Sequence, residues 1–151
     1  MSVFLDIFKN YHLVCPLVAF FTAQVIKFIL TIIFAKKIDF RKLIENGGMP
    51  SSHTSTVWAL TVSFGIVSGV KSQIFALAFI FTMVVMIDAM GVRRATGETT
   101  KALNKIVHDL FEEYNIQLLA KDIKEYVGHK PLEVLAGAVI GIAIPFLISP
   151  F

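Results

Sequence analysis

The sequence predicts an all-α, polytopic membrane protein, and three observations carry that prediction. Hydrophobic residues make up 56% of the 151-residue chain, charged residues only 17%, and the mean hydropathy is +0.73. Four apolar runs, at residues 12–34, 53–70, 72–90 and 134–151, approach or exceed the roughly 20 residues that cross a bilayer as a helix. Charged residues gather mainly in the segments between these runs. One membrane-embedded domain over residues 1–151 follows, with about four transmembrane helices plus amphipathic interfacial helices. The net charge of +3 is mild and suits anionic lipid headgroups; no nucleic-acid-binding signature accompanies it. The single cysteine, Cys15, lies in an apolar run, so it forms no internal disulfide and reads as a small buried hydrophobe.

Residues 1–11 set Phe4, Leu5 and Phe8 beside Asp6 and Lys9, which reads as a short interfacial piece. They lack the basic start and small-residue cleavage site of a removable signal peptide. The first long run, 12–34, contains Gln24 and Lys27, three residues apart and therefore on one helix face. Polar groups at that depth usually face a protein interior or a cavity. Lys27 lies roughly 9 to 15 Å short of the basic end of this helix, which favours an inward role over snorkelling to the surface. Residues 35–46 form a basic loop with Lys36, Lys37, Arg41 and Lys42 against Asp39 and Glu45.

The stretch Gly47-Gly48-Met49-Pro50-Ser51-Ser52-His53 then interrupts the apolar pattern. Two glycines let the backbone approach a ligand closely, Pro50 suits the first turn of a helix, and Ser51 and Ser52 can cap the amides there. Exposed amides at the positive end of a helix favour phosphate. His53 adds a group able to donate or accept a proton near neutral pH. An ordinary capped turn is the bland alternative.

The run 53–70 is rich in Thr, Ser, Val and Gly, small residues that let helices pack closely in lipid, and Lys71 marks the connection that follows. The third run, 72–90, ends in Asp88-Ala89-Met90-Gly91-Val92-Arg93-Arg94, which puts Asp88 at the membrane rim one to two turns from two arginines. Over 98–127, Leu103, Ile106, Val107, Leu110 and Tyr114 recur at three- and four-residue steps among Lys101, Lys105, Asp109 and Glu112. That pattern predicts an amphipathic helix, bent near Asn115 and continued by Leu119, Ile123 and Val127, that lies on the membrane or lids the site. His108 and Lys121 read as solvated. Gly128-His129-Lys130-Pro131-Leu132-Glu133 leads into the fourth run, where Gly137 and Gly141 are close-packing positions.

With four spans, the turn before the second and the long segment between the third and fourth share one side of the membrane. That side collects His53, Arg93, Arg94 and His129 together with most of the lysines and arginines. By the positive-inside rule it is cytoplasmic, with both termini outside.

Three strings, Gly-Gly-Met-Pro-Ser-Ser-His, Asp-Ala-Met-Gly-Val-Arg-Arg and Gly-His-Lys-Pro-Leu-Glu-Val, resemble the signature of the type 2 phosphatidic acid phosphatases and vanadium-dependent haloperoxidases. The closest likeness is to a small, divergent bacterial and plastid branch of that superfamily, and it covers nearly the whole chain. The chain departs from the usual pattern in three ways. Pro-Ser-Ser-His stands for Pro-Ser-Gly-His, Glu133 stands for the orienting aspartate, and the arginines lie far from the second histidine. The family's first motif is not legible; Lys27, Lys42 or Arg41 would supply its charge.

The resemblance implies phosphomonoester hydrolysis through a phosphohistidine. His129 would attack phosphorus, Glu133 would hold its other ring nitrogen, and His53 would protonate the leaving alkoxide and then activate water. Arg93 or Arg94, Lys27 and the Gly48, Ser51 and Ser52 region would neutralise the phosphoryl oxygens, with Gln24, Lys42 and Asp88 in support. Such a site needs no metal cofactor; Asp88 either pairs with an arginine, the favoured reading, or binds Mg2+. A bacterial inner membrane is the implied setting. Phosphatidylglycerol phosphate, phosphatidic acid and polyprenyl phosphates or diphosphates all fit as lipid phosphate substrates, and a cytoplasmic site favours the first. A non-catalytic lipid-phosphate binding or transport module is the main alternative, and the membrane setting weighs against a peroxidase. Four spans make a thin scaffold for a buried polar site, so a homo-oligomer is compatible with the reading.

Overall fold

The computed structural model describes residues 7–35, 48–91, 97–106 and 131–148, and every regular element within them is helical. In chain order these are α1 (Tyr11–Ala35), α2 (Ser52–Ser68), α3 (Gln73–Met90), α4 (residues 97–106) and α5 (Pro131–Leu147). All four expected runs are therefore helices, with shifted ends. The second stops at Ser68 because Gly69 takes φ +81°, a left-handed conformation that suits glycine. The last begins at Pro131, a residue that fits a helix's first position because its missing N–H has no partner there anyway.

Tyr11–Phe34 and Gln73–Met90 are long and apolar enough to cross a membrane, with mean hydropathies of 2.2 and 2.1. At 17 residues each, α2 and α5 sit at the lower edge of the spanning range. The side-chain distribution shows why the bundle belongs in lipid. On α1 the buried stripe is Tyr11, Cys15, Ala19, Ala23 and Lys27, whereas Leu13, Leu17, Phe21, Val25, Ile29 and Ile33 are exposed. Both stripes step by four residues, and they lie on opposite faces of the helix. The same inversion marks α5, where Val134, Gly137, Ala138, Gly141 and Pro145 are inside and Leu132, Leu135, Val139 and Phe146 outside. Large apolar side chains turned outward need a hydrocarbon surrounding; small ones turned inward let backbones approach.

The most polar of the four long helices, α2, is the centre of the bundle, packed against α1, α3 and α5. Its buried Ser52, Thr54, Ser55, Thr61 and Ser63 are tolerated because the fold supplies partners. Thr61 Oγ1 shares a hydrogen bond with Thr82 Oγ1 at 2.8 Å, and both also reach the Val57 carbonyl, at 3.0 Å each. Ser55 Oγ donates to the Ala19 carbonyl of α1 at 3.3 Å. Trp58 Nε1 donates to Met86 Sδ of α3 at 3.2 Å.

These contacts fix the directions of the helices. Helix α2 runs antiparallel to α1 and α3, and the approach of Ser51 to Glu133 and of Ser55 to Gly141 makes it parallel to α5, so Ser51 to His53, the Asp88 end of α3 and Glu133 all lie at one end of the bundle. Of the residues expected to share one side, His53 is at this end of the bundle, while Arg93, Arg94 and His129 lie outside the described residues. At the opposite end, Tyr11 Oη donates to the Pro145 carbonyl, His12 Nδ1 lies 3.0 Å from Ser63 Oγ, and the His12 ring stacks on Phe64 at 4.4 Å.

Candidate active site

The turn before α2 departs locally from expectation. Pro50 does not enter the helix: it is buried ahead of the cap, the Met49–Pro50 peptide is cis, and Ser51 is the N-cap with α2 starting at Ser52. The Ser51 side chain accepts from Thr54 N at 3.4 Å and from Thr54 Oγ1 at 3.1 Å. Gly48 has φ +86°, so the turn uses one of its glycines for a conformation that other residues rarely adopt.

A backbone bond across the fold joins the turn to α5. The Ser51 N–H donates to the Glu133 carbonyl at 2.9 Å, which binds the cap of α2 to the first turn of α5. The glycines of α5 make this approach possible. A Cβ at Gly137 would run into the Ser51 carbonyl and one at Gly141 into the Ser55 carbonyl, and the latter would also stand 2.7 Å from Trp58 Cβ. Thus Ser51 and Ser55 on one helix and Gly137 and Gly141 on the other form matching small-residue pairs at four-residue spacing. The sequence reading caught the two glycines and missed Ser55 as their counterpart; the i, i+4 match was the available signal.

His53 is the second residue of α2, half-buried, and Glu133 lies in the first turn of α5, also partly buried. Asp88 is half-buried near the end of α3. Lys27 is only 4% exposed, at the end of the α1 stripe that faces the bundle, so it points inward and does not snorkel to the surface. One turn of α1 beyond it, Thr31 Oγ1 donates to the Lys27 carbonyl at 2.9 Å. Gln24 Oε1 is buried and accepts no hydrogen bond among the described residues. Ser51 and Ser52 are both buried; the Ser51 N–H is engaged in the bond to α5 and its Oγ in capping α2.

Four of the sequence-derived site residues, Lys42, Arg93, Arg94 and His129, lie outside the described residues. So do the rest of the basic loop, with Lys36, Lys37 and Arg41, and the interfacial stretch with His108, Leu119, Lys121, Ile123 and Val127. Helix α4 covers the beginning of the predicted amphipathic segment and exposes Leu103, Lys105 and Ile106.

A family model described as "Divergent PAP2 family" matches residues 8–144. The chain belongs to the divergent PAP2 family. It is also 35% identical over 156 residues to "Uncharacterized membrane protein YuiD" of Bacillus subtilis (strain 168), covering 97% of this chain and 99% of that protein. No solved structure matches the chain significantly. The divergent PAP2 family match extends across the turn, the Asp88 end of α3 and most of α5, so it includes both segments joined by the Ser51–Glu133 contact. The chain is accordingly a membrane protein of a PAP2-related family, in keeping with its motif strings.

Proposed function

We propose that the protein is an integral membrane lipid phosphatase that removes a terminal phosphate through a phosphohistidine intermediate. The observation that carries this reading is the Ser51 N–H to Glu133 carbonyl bond, because it unites the histidine-bearing turn with the helix whose preceding segment holds the second histidine. His129 attacks phosphorus in line, and the bond to the lipid oxygen breaks as His53 delivers a proton to the leaving alkoxide. Glu133 holds the other ring nitrogen of His129 and fixes its tautomer. His53, now neutral, then takes a proton from the water that attacks the phosphohistidine, which releases phosphate and restores His129.

Lys27 and Arg93 or Arg94 neutralise the phosphoryl oxygens, helped by the turn from Gly48 to Ser52 and the positive end of α2. In this scheme Ser51 contributes mainly as the tie that holds the cradle, since its own groups are engaged.

The test is phosphate release from a panel of lipid phosphates by purified protein in detergent. His129→Ala should remain folded and lose several orders of magnitude in turnover; comparable activity in the variant overturns the assignment.

The site faces the cytoplasm on this reading, which suits a substrate made in the inner leaflet, such as phosphatidylglycerol phosphate. Lys105 is exposed on α4 and reports the side. A cysteine placed there in a Cys15→Ser background should resist a membrane-impermeant thiol reagent on intact cells and react once the membrane is opened. Labelling of intact cells places the site outside.

A further inference from the structure

Gln24 carries an unmet hydrogen-bond demand on α1, three residues before Lys27. Its buried Oε1 accepts no hydrogen bond among the described residues, although a buried amide oxygen without a donor is unfavourable, and most so where hydrocarbon excludes water. Its position follows from the α1–α2 register. Ser55 Oγ reaches the Ala19 carbonyl, and the two helices are antiparallel, so Ala23 lies at about the height of Ser51. Gln24 is then about 1.5 Å nearer the signature end, and Lys27 about 4.5 Å beyond Gln24. Around the helix, Lys27 is turned about 40° and Gln24 about 100° from Ala23, in the same sense. The two form an inner and an outer polar station along the membrane normal, beside the turn that leads into His53.

We propose that Gln24 Oε1 accepts a hydrogen bond from a hydroxyl on the substrate headgroup. The site then prefers a lipid phosphate with a free hydroxyl close to its terminal phosphate, of the glycerol phosphate kind, over one without it. This rests on the lipid-phosphatase reading and narrows its substrate class. A terminal phosphate drawn to Lys27 leaves the next part of the headgroup, on its way to the acyl chains, deeper in the membrane at the height of Gln24. An acceptor there repels phosphate oxygens, and a phosphate dianion beside a lysine has no proton to give. A hydroxyl does. Phosphatidic acid and polyprenyl phosphates have no hydroxyl at that depth. A site built around a substrate hydroxyl discriminates strongly against the analogue lacking it, because the protein's own polar group is then left unpaired.

The test uses the full chain in phosphatidylcholine nanodiscs and a matched pair of lipids, one with a terminal glycerol phosphate and one in which the glycerol hydroxyl is replaced by hydrogen. Binding is measured with their non-hydrolysable phosphonate analogues, and phosphate release with the phosphates themselves. The wild-type protein should bind the hydroxylated analogue at least about tenfold tighter. Gln24→Met, which keeps the length and removes the acceptor, should erase that difference. Equal binding of the two analogues by the wild-type protein, or binding of neither, overturns the proposal without reference to any variant. A preference that persists in folded Gln24→Met also overturns it. A preference lost in Gln24→Met without phosphate release from either lipid supports the hydroxyl site and removes the phosphatase reading; phosphate release with equal binding does the reverse.

Discussion

The two ends of the bundle each place a histidine near a helix terminus, and they treat it differently. At one end His12 bonds to Ser63 and stacks on Phe64, while its neighbour Tyr11 closes onto the Pro145 carbonyl. Polar atoms there are matched by protein partners, aromatic rings fill the space, and the tight turn from Gly69 to Ser72 finishes the hairpin with a Ser72 Oγ to Gly69 carbonyl bond of 2.8 Å. At the other end His53 follows a glycine-containing turn, Lys27 is buried, and Gln24 Oε1 is left without a donor among the described residues. A histidine at a membrane rim is thus weak evidence of chemistry by itself. What separates the ends among the described residues is a buried lysine and a buried amide oxygen that accepts no hydrogen bond.

The sharpest way to break this contrast is to remove the buried charge. Lys27→Met keeps the volume and the helix, and it should lower phosphate release by roughly 10²- to 10³-fold, the loss expected when one preorganised stabiliser of the phosphoryl oxygens is deleted. Helical content by circular dichroism should be unchanged. Wild-type turnover in this variant would make Lys27 a structural residue and the two ends alike.

A smaller effect is expected from prising the signature end apart. Gly137→Val places a branched side chain against the Ser51 carbonyl, where even a Cβ finds no room. Overpacking of this kind typically costs about 1–3 kcal/mol. The melting temperature in detergent should fall, and activity should fall with it as the Ser51–Glu133 contact loosens. An unchanged melting temperature and full activity would mean that this seam does not hold the site.

The smallest effect belongs to the closed end. His12→Phe keeps an aromatic ring against Phe64 and gives up one partly buried hydrogen bond, of a kind typically worth about 1 kcal/mol. Phosphate release should stay within about twofold of the wild-type rate, a margin under about 0.4 kcal/mol in barrier. A tenfold loss would show that both ends take part in turnover.

Much of the fold was legible because lipid imposes simple rules. Four apolar runs became helices, Lys71 did mark a short connection, and Gly137 and Gly141 did prove to be contact positions. Pro50 was misplaced by one element boundary: proline suits a helix's first position, yet here Ser51 takes the cap and Pro50 is held outside. Local propensity leaves two adjacent starts open at such a turn, and packing of the cap against α5 decides between them.

The sequence alone determined the class of molecule, the helices, and the motif strings that tie the chain to the divergent PAP2 family. These depend on composition and local spacing, which are readable without a partner. Tertiary structure decided which face of each helix turns inward. It made the serine- and threonine-rich helix the hub, aimed Lys27 into the bundle, engaged the Ser51 amide with Glu133, and left Gln24 Oε1 buried without a donor among the described residues. An α1 span apolar on nearly every side carries little periodic signal to mark its inner face. That face is chosen by the backbone approach that small residues allow and by the hydrogen-bond partners that only neighbouring helices can supply.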